Sequence, residues 1–236
     1  MKRYNYSDQI ISEQGTLYLQ THTTDDPPAA ESLLFEQGRV LCRRTLLLPE
    51  SGHEDACRRA AEEFHMNNLD ALERSCGDAV CQTDVLPAAA LQSVAILQRW
   101  NLDQRALARL QQLSGALEGD AAYWRMKGES LLRLERYMPA LTAFRKAHGI
   151  DPSDRPTLIL LAVCMLSIVT ERSARLTEPD TSHLAAQAGQ CLDRIAAAGG
   201  ENREAVNAVA RLISDSRYPE ALKRLRILHL RANGIG

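Results

Sequence analysis

The chain has 236 residues, 45% hydrophobic and 25% charged, a balance that excludes disordered and low-complexity classes and places it among folded globular proteins. A formal charge of −2 excludes a general electrostatic pull toward nucleic acid or anionic membrane, so either role needs a local basic patch. Aromatic residues make up only 5% while Ala, Leu and Arg recur, which favours helices packed through small residues over a large β-sandwich.

Residues 1–14 are polar and lack the apolar core and small-residue cleavage site of a secretory leader. From Gly15 to Thr21 the composition is β-like, and Thr24-Asp25-Asp26-Pro27-Pro28 is expected to break regular structure. Ser32 to Phe35 and Arg39 to Cys42 flank Glu36-Gln37-Gly38, a hairpin signal with Gly at the left-handed position. Two or three antiparallel strands are therefore expected over about residues 15–48. Ser51 or Gly52 could cap the next helix, with Glu54 and Asp55 favoured in its first turn by the helix dipole. Cys57, Ala60, Ala61, Phe64, Ala71 and Leu72 form an apolar stripe to about residue 75, suited to covering one face of the sheet. Residues 1–76 thus read as a small α+β module, and 77–87, with Gly, Asp, Thr and Pro, as a linker.

Beyond the linker, helical patterns follow at about 88–100, 103–117, 120–135, 138–149, 156–172, 181–198, 202–215 and 218–232. Eight helices with mostly short breaks imply about four antiparallel pairs, an all-α domain over 88–236 and a chain that is mainly α overall. The longest apolar run, Thr157 to Val169, is shorter than the ~20 residues that cross a bilayer and reads as a buried helix.

Within this domain, Trp124, Gly128, Leu131, Tyr137, Ala140, Phe144, Ala147 and Pro152 follow a spacing with a clear physical sense. Gly128 and Ala140 are small where two helices would cross closely, Trp124, Tyr137 and Phe144 fill the surrounding space, and Pro152 ends the second helix. Residues 121–154 on these positions resemble a tetratricopeptide repeat, departing from it at Lys127, where a large aliphatic residue is usual. Weaker echoes are Ala106, Leu110 and Leu113 one repeat earlier, Ala188, Leu192 and Ile195 later, and Tyr218, Ala221, Leu225 and Leu228 in the last pair. The resemblance implies stacked helix pairs that bind a peptide or partner protein in a groove lined by the first helix of each pair. On the matched repeat it implies groove positions Ala122, Arg125, Glu129, Leu132 and Arg133. Two guanidinium groups there would suit an acidic segment or terminal carboxylate, whereas the same spacing also makes an internal Arg–Glu–Arg ladder on a solvated face. The phrase Leu33 to Leu41 is similar to a hairpin of small bacterial regulatory or assembly modules.

Six cysteines, Cys42, Cys57, Cys76, Cys81, Cys164 and Cys191, lack a repeated spacing and fit reduced thiols in a cytoplasmic protein. His53, Cys57 and His65 on one helix, with Cys76 and Cys81 beyond it, could approach a zinc site, but Cys57 belongs to the buried stripe. No metal or other cofactor is expected. There is no phosphate-binding glycine loop, nucleophile elbow or His-Glu-x-x-His, and Asp25-Asp26 and Glu62-Glu63 are adjacent pairs whose side chains diverge. No catalytic set is expected.

The last helix interleaves Lys223, Arg224, Arg226, His229 and Arg231 with Leu222, Leu225, Ile227, Leu228 and Leu230. That pattern suits a terminal cap with a polar outside, or a basic edge for RNA, acidic lipid or an acidic partner. The expected function is a cytoplasmic, non-enzymatic adaptor or chaperone-like scaffold for another protein or peptide, with homodimerisation through the helical stack as a further option. The alternative is a nucleic-acid-associated regulator working through the basic last helix.

Overall fold

The computed structural model describes residues 3–12, 14–49, 54–76, 87–171, 176–199 and 203–232, with main chain alone at 87–89 and 231–232. The N-terminal half opens with four strands, β1 (Asn5–Ser12), β2 (Gly15–Asp25), β3 (Pro28–Glu36) and β4 (Arg39–Leu47). They form one antiparallel meander in the order β1-β2-β3-β4. Among the described residues ten helices follow: α1 (Glu54–Cys76), α2 (Pro87–Arg99), α3 (Asp103–Gln112), α4 (Ser114–Leu117), α5 (Ala121–Arg133), α6 (Tyr137–Ile150), α7 (Arg155–Glu171), α8 (Glu178–Ala197), α9 (Arg203–Ser214) and α10 (Tyr218–Ala232). A sheet followed by helices, mainly α overall, is the architecture that the sequence leads one to expect.

Two details of the sheet differ from that expectation. β1 is an additional strand, formed by a polar segment whose buried member is Ile10. An edge strand needs only a few apolar contacts when its ladder is complete, and β1 pairs with β2 from Asn5↔His22 to Ser12↔Gly15. The Asp-Pro segment, expected to break structure, is instead a two-residue hairpin turn at Asp26 and Pro27, joined by a cis peptide, with Asp25 and Pro28 paired across it. Pro28 opens β3, where proline is tolerated. The β3–β4 turn places Gln37 (φ 49°) and Gly38 (φ 78°) in the left-handed region as a tight hairpin requires.

Helix α1 covers the sheet face that carries Leu17, Leu19 and Leu34, all fully buried. Ala30, Leu48, Cys57 and Ala61 form one apolar cluster between them, with Tyr6, Ala60 and Phe64 packed around it. The possible cap at Ser51 or Gly52 lies outside the described residues. The inner face of α1 is more polar than its sequence stripe suggests, because His65, Asn68 and Ser75 are buried there beside Leu69 and Leu72.

The chain divides into two compact units, Met1–Ala116 and Leu117–Gly236. This boundary differs from the linker expected at 77–87, a stretch that lies outside the described residues apart from Pro87. Helices α2 and α3 belong with the sheet for a physical reason. Arg105 of α3 donates to Ser12 Oγ (2.7 Å), to the Gln14 carbonyl (3.3 Å) and to Glu36 Oε1 (2.8 Å). Trp100, at the end of α2, is fully buried with the Arg44 guanidinium 5.3 Å over its ring.

Three helix hairpins, α2–α3, α5–α6 and α9–α10, turn in the same way. Asn101, Glu135 and Ser216 sit at φ 57°, 59° and 57°, and Asn101 and Glu135 are 34 residues apart. The next amide bonds five residues back in each: Leu102 to Leu97, Arg136 to Leu131, and Arg217 to Leu212, at 2.9, 2.8 and 2.8 Å. This is a helix C-terminal cap that leads directly into the following helix. At matching places after the turn, Ala106, Ala140 and Ala221 are fully buried, and so are Leu110, Phe144 and Leu225.

In the second unit α6 packs on α5 and α7, and α7 packs on α8 and also on α10. Because α8 meets α9 and α9 meets α10, helices α7 to α10 close into a ring of four. Helix α7 is buried almost all round, with Leu160, Cys164, Leu166 and Ile168 at or below 2% exposure, so the apolar run is an internal helix. Among the described residues no helix is long and apolar enough to cross a membrane.

Candidate functional site

The face singled out by the sequence lies on α5. Asp120 caps this helix, its carboxylate accepting from the Ala122 amide at 2.7 Å. Tyr123, Trp124, Gly128, Ser130 and Leu131 turn inward. The α5–α6 crossing is close: a Cβ added at Gly128 would stand 2.5 Å from Cε1 of Phe144, whose ring is fully buried. Trp124 donates through its indole nitrogen to the Glu118 carbonyl (2.7 Å) and meets Tyr123 edge-on at 5.1 Å. Lys127 lies 5.0 Å and Lys146 4.0 Å from the Trp124 ring centroid, so Lys127 covers the aromatic pair where an aliphatic side chain was expected.

The outer residues of α5 form the internal ladder. Glu129 stands 3.9 Å from Arg125 Nε and 3.6 Å from Arg133 Nη2. Arg125 also donates to both carboxylate oxygens of Asp154, at 3.1 and 2.9 Å. Arg133 is the most exposed of the three, at 39% against 29% for Arg125 and 19% for Glu129. Ala122 and Leu132 are half-buried beside them. Arg125, Glu129, Leu132 and Arg133 are thus brought together, with Arg125 committed to holding the α6–α7 turn.

Sequence reasoning missed Asp154. Its carboxylate accepts from the Thr157 amide (3.2 Å) and from the Thr157 hydroxyl, which makes it the N-cap of α7 as well as the partner of Arg125. The signal was present: an Asp directly before a helix with Pro in its first turn.

The last helix, considered separately in the sequence, borders the same region. Its inner residues Ala221, Leu222, Leu225 and Leu228 are buried. Arg226 approaches Ser167 Oγ (3.3 Å) and Glu171 (3.5 Å) on α7, and Tyr137 of α6 donates to Glu171 from below. Burial and then the carboxylate of Glu171 hold the Tyr137 hydroxyl well above the ordinary phenol range. His229 is held below the ordinary imidazole range by burial, then by the charges of Arg133 and Arg125 on α5. Lys223, Arg224, Ile227 and Leu230 remain exposed on α10, and the Arg231 side chain is outside the described residues.

A second polar constellation lies under the sheet, assembled from residues far apart in sequence. Arg44 Nη1 donates to Asn68 Oδ1 (2.8 Å), and Asn68 Nδ2 donates to Ser32 Oγ (3.1 Å). Ser32 Oγ meets Thr21 Oγ1 at 2.6 Å, Thr21 Oγ1 meets His65 Nδ1 at 2.8 Å, and His65 Nε2 meets Asp8 Oδ2 at 2.8 Å. With Asn68 donating at one end, every link is satisfied in a single direction: Ser32 donates to Thr21, Thr21 to Nδ1, and Nε2–H to Asp8. Thr21, Ser32 and His65 are at most 1% exposed, so this acid–imidazole–hydroxyl line offers no nucleophile to a substrate and serves to bind α1 to the sheet.

Of the residues weighed for zinc, His53 and Cys81 lie outside the described ones, His65 is part of this chain, Cys57 is buried beside the Pro49 carbonyl, and Cys76 neighbours Arg105. Among the described residues no group of three or more His, Cys, Asp or Glu could hold a metal ion. Cys42, Cys57, Cys76, Cys164 and Cys191 are free thiols, and burial pushes Cys164 up to about 12. A shallow cleft of about 330 Å³ between α8 and α9 is lined by small residues such as Ser182, Ala186 and Gly189, with Asp193 as its acidic member. No family model matches the chain, and neither do the curated proteins nor the solved structures.

Proposed function

We propose that this chain is a cytoplasmic, non-enzymatic adaptor whose helical part is tetratricopeptide-like and holds a peptide or protein surface against the α5 face, for assembly or chaperone-like holding. The observation that carries the reading is the recurrent hairpin. Three helix pairs share one left-handed turn and one buried alanine, two of the turns being 34 residues apart, and the Gly128–Phe144 contact brings α5 and α6 close. Hairpins of that kind serve in general as rigid platforms for binding extended segments.

Arg133, the most exposed member of the ladder, and the half-buried Leu132 beside it are the pair on which a partner would bear. The matching ligand is a segment with a carboxylate for Arg133 and an apolar side chain for Leu132. An array of synthetic acidic–apolar peptides tests this on the full chain. Binding that weakens at least about tenfold in Arg133→Glu, with helical circular dichroism unchanged, supports the assignment. Binding that ignores this change, or no binding by any peptide, removes the α5 face from consideration.

A second reading, single-stranded nucleic acid on α10, rests on the exposed Lys223 and Arg224. Affinity for RNA measured across a salt series separates the two, because phosphate contacts lose strength steeply with added salt.

A further inference from the structure

We infer that the face of the N-terminal sheet turned away from α1 is a docking surface for a second copy of this chain. The strand register divides the side chains between two faces. Leu19, Leu34 and Cys42 share the face that α1 covers, since Leu19 pairs with Leu34 and Leu34 with Cys42. Arg99 and Arg105, from α2 and α3, reach that same side at Cys42 and Glu36.

The opposite face carries a different row. Tyr18 pairs with Phe35, and Phe35 with Val40, so three large apolar side chains stand side by side across β2, β3 and β4. Ile11 on β1 and Leu33 on β3 extend this row diagonally. Ile11 is 75% exposed, Val40 49% and Tyr18 43%. Scattered apolar residues on a surface need no explanation, but a contiguous cross-strand patch marks a contact site.

The border of the patch decides the occupant. Glu31 lies 3.6 Å from His22 and 3.7 Å from Arg43 on the same face, so both charge signs sit in one cross-strand line. Gln9 and Gln20 complete the border without charge. A strongly acidic or strongly basic partner would meet repulsion on half of this rim. Two copies related by a two-fold axis set each Glu31 opposite the other's cations, with apolar row on apolar row. Sheet faces pack on one another in this way with strands nearly aligned. Strands of 8–11 residues, at about 3.4 Å per residue and about 4.8 Å apart, give a face of roughly 500 Å² in plan. With side-chain relief this approaches the about 800 Å² per partner of an ordinary stable interface.

Sedimentation of the full chain across a wide concentration range tests the inference. The wild type should be a dimer at high concentration. The double variant Ile11→Lys with Val40→Lys should raise the dissociation constant at least about tenfold, whereas Met66→Lys, exposed on α1, should leave it unchanged. A wild type that stays monomeric overturns the proposal, and so does a dimer that the double variant does not weaken. Should the double variant fail to fold, shielding of Tyr18 from a soluble paramagnetic probe is followed in the wild type. A rise with concentration upholds the interface, and constant shielding overturns it.

Discussion

Gly128 shows how one residue sets an inter-helix distance. Its missing side chain lets the Phe144 ring lie where a Cβ would stand at 2.5 Å, and the ring, fully buried, has little room to retreat. Gly128→Ala should therefore destabilise the second unit by about 1–3 kcal/mol despite the better helix propensity of alanine, read as a lower urea midpoint. Adding Phe144→Leu should recover part of that loss. This crossing was legible in the sequence because Trp124, Gly128, Ala140 and Phe144 act through local helical spacing. The chain Arg44–Asn68–Ser32–Thr21–His65–Asp8 was not, since its members come from four strands and a helix. Only the strand register brings Thr21 opposite Ser32. His65 and Asn68 look like polar interruptions of an apolar stripe until that register is known.

Elements were legible wherever one face alternates strongly with the other. The helices from α2 onward fall close to their sequence patterns, with the segment at 103–117 divided into α3 and α4. Strand β1 escaped because its outward side chains, Ile11 apart, are polar and its ladder with β2 supplies most of what holds it. The Asp26–Pro27 turn escaped because proline that ends one strand can also begin the next. The docking of α10 was invisible to any local pattern, and it has a pH signature. His229 is held below its ordinary range in the fold, so below about pH 6.5 the unfolded chain binds a proton that the folded chain resists. Stability should fall as the pH drops through this window and be restored above it. Unfolding midpoints at about pH 7.5 and about pH 5.5 measure the difference, and His229→Gln should reduce it. His148, also lowered by burial and by Arg194, acts in the same direction.

At the scale of the molecule, the sequence separates a sheet module from helices at 77–87, whereas compactness separates the chain between Ala116 and Leu117. The reason is that α2 and α3 carry side chains used by the sheet, Arg105 above all. Fragments 1–116 and 117–236 should each melt cooperatively, while 1–76 alone should not, because it loses Arg105 from Glu36 and Trp100 from Arg44; thermal melts followed by circular dichroism compare the three. The return of α10 to α7 has a consequence of another kind. In an open helical array each hairpin leans only on its neighbours, and the terminal one frays first. Here α10 is tied back to the deeply buried α7, where Arg226 meets Ser167 and Glu171, so its loss would strip α7 of a packed neighbour in the middle of the unit. Helices α7 to α10 therefore have no weak end from which to unravel: they hold, and give way, as a single block.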